Sequence, residues 1–251
     1  MSDPLERLSA ARAAVQARID AACARVGRDP SGVQLVGVSK TVTLDVLRHA
    51  PAAGLHALGE NRVQEAADKV PSMPHVEWHL VGRLQGNKAG RALELFSVIE
   101  SVDSAELAGR LARLAGERGR ERVPVYLQVN VDVDPAKGGF APEALEAALD
   151  EVLALPALDV RGLMTVGLLV DAPAETRATF VRLRALSEWL RGRNPGLGAG
   201  LSMGMSDDFE VAVEEGSTLV RVGRAIFGER PAVGDRRPAG ERRPAGERGP
   251  G

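Results

Sequence analysis

The stretch LVGVSK, residues 35–40, reads as a buried β-strand that ends on a lysine. The chain carries 32 Lys+Arg, yet lysine stands only at positions 40, 69, 88 and 137, and the other 28 are arginine. A chain this biased to arginine could have used it for almost any surface charge. A lysine kept at a strand end points to amine chemistry; the alternative is a lysine leaving the sheet for solvent. Working outward, residues 4–27 carry a helical stripe of Leu5, Leu8, Val15, Ile19 and Val26, with Gly27 as the stop. Short apolar strands are predicted near 33–38, 55–58, 77–81, 97–100, 124–130, 158–163, 199–202 and 218–222. Helices fall between them near 43–52, 61–69, 87–95, 104–118, 142–154, 174–191 and 207–215. Gly and Pro punctuate many of the joints, as at Pro51, Gly54, Gly116, Pro124 and Pro156. Eight strands alternating with helices predict an α/β fold, a single (β/α)₈ TIM-type barrel with an extra N-terminal helix. A doubly wound open sheet is the alternative.

Composition sets the remaining bounds. At 251 residues, 44% hydrophobic and 26% charged, the chain suits one sizeable soluble domain. It has no uninterrupted apolar run of about 18 residues, so no membrane span is expected. The start, MSDPLERLSA, lacks an apolar signal core, and a cytoplasmic location is expected. The single cysteine, Cys23, allows no internal disulfide and reads as a packing residue. From Arg230 onward the chain repeats RRPAGE, with six Arg against Asp235, Glu241 and Glu247. That tail carries +3 and leaves −2 − 3 = −5 on the remainder. Without an apolar face it cannot offset its ordering entropy. The expected division is a barrel over 1–229 and a disordered Arg/Pro/Gly-rich tail over 230–251. A mildly acidic body argues against nucleic acid as the main partner.

Barrel chemistry sits at the C-terminal ends of the strands, with phosphate favoured after strands 7 and 8. Strand 1 ends on Lys40. Strand 7 runs into LSMGMSDDFEVAVEEG, residues 201–216, where Gly204 permits a tight turn and Ser206 or Asp207 can cap the following helix. Strand 8 is STLVRVGRAIFG, residues 217–228. Alternation puts Arg221 on the opposite face from Val220 and Val222, inside the mouth, where it needs a partner. Gly223 allows close backbone approach, and Arg224 opens a turn into Ile226 and Phe227. An amine, a phosphate cradle and an inward arginine suit pyridoxal phosphate. A Schiff-base aldolase acting on a sugar phosphate would need the first two as well.

VGVSK (36–40), GENRVQE (59–65), WHLVGRLQGNK (78–88), KGGF (137–140), RGLM (161–164), SMGMSDDFEVAVEEGST (202–218) and VRVGRAIFG (220–228) closely resemble the pyridoxal phosphate homeostasis protein family. The resemblance spans roughly residues 5–229, in the family's order and spacing. It implies a barrel like the N-terminal domain of alanine racemase. It also implies pyridoxal 5′-phosphate as cofactor, with Lys40 as the Schiff-base lysine and Ser206, Gly223 and the amide of Arg224 at the phosphate. Arg221 would face the pyridine nitrogen, and Asn61 would lie near the cofactor. The family often has threonine where this chain has Arg224. The implied role is vitamin B6 homeostasis: holding the cofactor and delivering or buffering it, with apo enzymes as candidate recipients. A monomer or weak dimer is expected, with at most weak catalysis; the alternative is a racemase-like enzyme. Racemisation needs a second acid/base, which in alanine racemase is a tyrosine from a separate C-terminal domain. The one tyrosine here, Tyr126, lies mid-strand and reads as packing.

Other signals are weaker. His75 and His79 do not share a helical face, and His79 reads as a hydrogen-bonded core histidine. GRLQGNK lacks Walker spacing. DVDPAKGGF lacks the calcium-loop pattern, and its Lys137 reads as a surface loop residue.

Overall fold

The computed structural model describes residues 3–167 and 173–228, the side chains of 173–175 excepted. The tail expected over 230–251 lies outside the described residues. Eight parallel strands close into a barrel in chain order: β1 Gln34–Val38, β2 Ala57–Glu60, β3 Glu77–Leu80, β4 Val98–Val102, β5 Val123–Gln128, β6 Leu158–Met164, β7 Gly200–Ser202 and β8 Leu219–Val222. The register of β1 on β8 pairs Val36 with Arg221 and Gly37 with Val222, and this pairing shuts the barrel. Closure is the barrel expectation met and the open-sheet alternative set aside.

The helices are α1 Pro4–Arg25, α2 Leu44–Leu47, α3 Val63–Lys69, α4 Ala89–Leu95, α5 Ala105–Glu117, α6 Pro142–Leu153, α7 Pro173–Arg193, α8 Phe209–Glu214 and α9 Arg224–Phe227. Among them none is long and apolar enough to cross a membrane. Asp3 starts α1: its Oδ1 accepts the Leu5 N–H at 3.1 Å, and Pro4 occupies the first turn, where no N–H is needed. The helix buries Leu8, Val15, Ile19, Ala22 and Cys23, the packing role expected of that cysteine. Ser104 caps α5 in the same way, accepting the Leu107 N–H at 3.2 Å.

Two cores result from strand alternation. Outward side chains such as Trp78, Leu80, Val220 and Val222 join the helices in one large apolar layer with Phe96, Phe180 and Phe209. The barrel interior holds a separate small cluster of Val36, Ala57 and Leu219, with Tyr126 packed against it. The interior also holds the buried polar side chains His79, Glu100, Ser202 and Arg221, which position the site described below. Two elements differ from expectation. β2 begins at Ala57, two residues later than predicted, because Gly54 (φ 82°) ends the preceding turns and Leu55 is spent in the outer core. The delay brings Glu60 into the strand. α2 is one short turn, since the chain after it continues as turns to Gly54.

β6 and β7 meet closely at Gly162, whose φ of 150° and whose contact with the Gly200 backbone leave no room for a Cβ. Gly162→Ala should therefore cost about 3 kcal/mol, a fall of about 6–12 °C in melting temperature. Gly109, mid-way along α5, has open space where a Cβ would be. Gly109→Ala should be neutral or raise stability by up to about 1 kcal/mol. Thermal unfolding of both variants checks the pair.

Candidate functional site

The side chain at the centre of the barrel is Arg221, 4% exposed. β8 alternation turns it inward, as expected, and the interior supplies the partners that sequence could not name. Its Nη2 donates to the Thr165 carbonyl at 2.7 Å and its Nη1 to Ser202 Oγ at 2.5 Å. Ser202 Oγ donates to Glu100 Oε2 at 2.5 Å, and Glu100 Oε2 lies 3.9 Å from the guanidinium. Glu100 Oε1 is 2.6 Å from His79 Nδ1. Glu77 Oε1 sits 3.7 Å from His79 Nε2, too far for a hydrogen bond but near enough for attraction. Burial works against the His79 imidazolium, but Glu100 and Glu77 outweigh it and its pKa is pushed up to about 9. Burial likewise works against the Glu100 carboxylate, which His79, Arg221 and Ser202 hold below its ordinary range. Burial also lowers Arg221, against Glu100 and Asp208. The expected hydrogen-bonded core histidine is found, in surroundings that favour its protonated form.

At the end of β1 the chain makes a turn, Val42 N–H to Ser39 O at 3.0 Å, with Lys40 inside it. Thr41 follows at φ 66°, a strained position for a β-branched residue. The turn is pinned from behind. Ser39 Oγ donates to buried Glu60 Oε1 at 2.6 Å, and Lys69 Nζ from α3 bonds both Glu60 Oε1, at 2.7 Å, and the Ser39 carbonyl, at 2.9 Å. Ser39 faces this outer anchor, and Lys40, partly buried, follows it in the turn beyond the end of β1. The next residue after Glu60 is Asn61. Its Oδ1 is buried without a hydrogen-bond partner. The Asn61 backbone lies so close to Gly82 that no larger residue fits there.

The loops after β7 and β8 meet through Ser206, whose Oγ accepts the Ala225 N–H at 3.3 Å. The expected cap is corrected here. α8 starts at Phe209 with Asp208 at the cap position, because Met205 to Asp208 form their own turn, with Asp208 Oδ1 accepting the Met205 N–H at 2.5 Å. Ser206 is released toward α9. Gly204, at φ 97°, lies against Phe209 and Ala212 and could not carry a side chain. Asp207 points outward and pairs with Arg224. Asp208 is half-buried, and this loss of solvent raises its pKa. The end of β8 lies against β1: a Cβ on Gly223 would stand 3.2 Å from the Val38 carbonyl.

The ends of β1 and β8, carrying Lys40 and Gly223, are therefore neighbours. Ser206 and Arg224 lie on the adjoining loops, Arg221 lies below them, and Asn61 follows the next strand. Sequence reasoning missed Glu100, Ser202, Thr165, Glu60 and Lys69. The signal for Glu100 was an acid inside the apolar run SVIESV. Lys137 is corrected: it is partly buried, and its Nζ donates to the Val166 and Gly167 carbonyls at 3.1 and 2.9 Å.

Residues 11–231 match the family model of the alanine racemase N-terminal domain. A curated pyridoxal phosphate homeostasis protein of Pseudomonas aeruginosa is 44% identical over 220 residues, 87% of this chain and 94% of that protein. The chain belongs to the pyridoxal phosphate homeostasis protein family. Its Aquifex aeolicus member is 40% identical over 227 residues, 90% of this chain and 97% of that protein. PipY of Synechococcus elongatus PCC7942, another similar structure, was solved with PLP bound. It superimposes with a TM-score of 0.76 at 40% identity, covering 90% of this chain and all of that one.

The His79 pKa carries a pH signature for this family member. Folding raises it from about 6.5 to about 9, so the stability it contributes is complete below pH 6.5 and is lost as pH rises through 9. Melting temperature should fall between those values. His79→Gln should flatten that slope and lower stability at pH 6.5 by about 3 kcal/mol, the scale for breaking a buried pair. Calorimetry across the range checks the sign.

Proposed function

We propose that the chain binds pyridoxal 5′-phosphate at the C-terminal mouth of its barrel, as a homeostasis protein that buffers the cofactor and hands it to apo enzymes. The observation that carries this reading is convergence. A strand-end lysine, two loops bridged by a serine hydroxyl and a buried arginine surround one mouth, although they lie up to 185 positions apart in sequence, Lys40 to Ala225. The residues fit the group. Asn61 Oδ1 is an unpartnered acceptor at the same rim. The absence of a Cβ at Gly223 lets the end of β8 lie close against Val38 of β1, which brings the turn into α9 up to the Lys40 turn.

When bound, the cofactor supplies an aldehyde that condenses with amines and a ring that withdraws electrons. Lys40 Nζ is the amine that holds the aldehyde. Ser206 Oγ and the amides of 223–224 hold the phosphate. The Arg224 side chain is turned to Asp207, so its departure from the family's usual threonine leaves the amide as the contribution of that position. Arg221 would face the ring nitrogen.

That last contact favours a carrier over an enzyme. Arginine is a very weak acid and does not give its proton to a ring nitrogen, so the ring stays a weak electron sink. Tyr126 makes a poor second acid/base for a racemase. Burial, then the Glu100 charge, pushes its pKa to about 12, and it packs against Val36, Ala57 and Leu219 inside the barrel.

Lys40→Ala should abolish the visible band of the loaded protein that borohydride bleaches, without loss of fold. Ser206→Ala should weaken binding of the phosphorylated cofactor by about ten- to a hundredfold, the scale of about 1.5–3 kcal/mol for a hydrogen bond to a charged group. It should leave pyridoxal binding nearly unchanged. Equal losses for both ligands would move the phosphate elsewhere.

A further inference from the structure

Inside the barrel, alternating charges form one connected path, and only its upper end faces the proposed cofactor. Arg221 is the upper end. Glu100 comes next, through Ser202, and then His79, whose far nitrogen faces Glu77. Glu77 Oε2 accepts from Gln34 Nε2 at 2.9 Å at the start of β1, on the barrel floor. Glu100 has no water contact, and its two oxygens divide its charge. Oε1 serves His79; Oε2 serves Ser202 and, through it, Arg221. Whatever His79 takes from that carboxylate, Arg221 does not receive.

We propose that Glu100 is the positioning residue for Arg221, and that His79, acting through Glu100, sets how much positive charge Arg221 presents to the pyridine ring of pyridoxal 5′-phosphate. This rests on the binding reading above. With His79 protonated, the imidazolium offsets Glu100 from one side and the guanidinium field reaches the ring. With His79 neutral, the whole Glu100 charge opposes Arg221, and the ring nitrogen becomes more basic. The charged and titratable groups around His79 are Glu77 on its own strand, Glu100 on β4, Tyr126 on β5, Arg161 on β6 near Glu77, and Arg221 on β8 behind Glu100. Burial keeps salt from screening this coupling. A purely structural role would be served as well by apolar packing, which is often no less stable than a buried ion pair. The second Arg221 bond, to the Thr165 carbonyl, fixes the guanidinium orientation at the mouth.

The test has two arms. In the first, visible absorption of the loaded protein is followed against pH for wild type, His79→Gln and Glu100→Gln. Wild type should show a spectral step with a midpoint near 9, the value to which His79 is raised. Both variants should keep the borohydride-sensitive band and lose that step, and Glu100→Asp should restore part of it. A step unchanged in His79→Gln overturns the proposal. In the second, imidazole NMR follows His79 in the ligand-free protein. Because coupling is reciprocal, Arg221→Met should raise the His79 midpoint by about one pH unit. Ser202→Ala, a milder change, should move it less. An unmoved midpoint in both also overturns the proposal. Absence of a bleachable band in every form would sink the binding reading and the cofactor half of the proposal with it, while the NMR arm still decides the coupling.

Discussion

A guanidinium sealed inside a parallel barrel is the constraint around which this molecule is arranged. Unpaired, such a charge is too costly to keep. Its partners must come from other strands, because its neighbours on β8, Val220 and Val222, face the other way. β7 supplies Ser202, β4 supplies Glu100 and the end of β6 supplies the Thr165 carbonyl. Glu100 then requires a cation of its own, and β3 supplies His79. One inward arginine thereby ties together five of the eight strands and gives the interior a polar column beside a small apolar plug.

The mouth depends on the same closure. The ends of β1 and β8, which lead into Lys40 and Gly223, are separated by most of the chain, and they are neighbours only because β1 pairs with β8 in the register Gly37 to Val222. Behind Lys40, the Glu60–Lys69 pair holds the Ser39 carbonyl and supports the Thr41 backbone at φ 66°. The lysine turn is therefore anchored to α3 on the outside of the barrel while the arginine is anchored across its inside. A ligand that touches both residues is held by two independent supports.

Much of this was legible in the sequence, for identifiable reasons. Element type followed from apolar runs of strand length alternating with helical stripes, and every one of the eight strands lies within a few residues of its predicted place. Arg221 was readable because alternation is a local rule. Its partners were not, since Glu100 and Ser202 are 102 residues apart and only barrel closure makes them neighbours. Glu60 was hidden by a two-residue error in β2. Ser206 was readable as a polar residue after β7 but not as a bridge to α9, because the Met205–Asp208 turn that frees it depends on the half-buried Asp208 carboxylate. Lys137 looked like a surface charge because the carbonyls it caps, at Val166 and Gly167, belong to a different loop.

The central claim is that one mouth holds the cofactor through one particular amine. The direct measurement is to load the protein with pyridoxal 5′-phosphate, reduce it with borohydride, digest it with trypsin and map the modified lysine by mass spectrometry. The account predicts a single label on Lys40, carried by the peptide of residues 29–48, since a modified Lys40 is no longer cut and cleavage falls after Arg28 and Arg48. A label found instead on Lys69, Lys88 or Lys137 would contradict it.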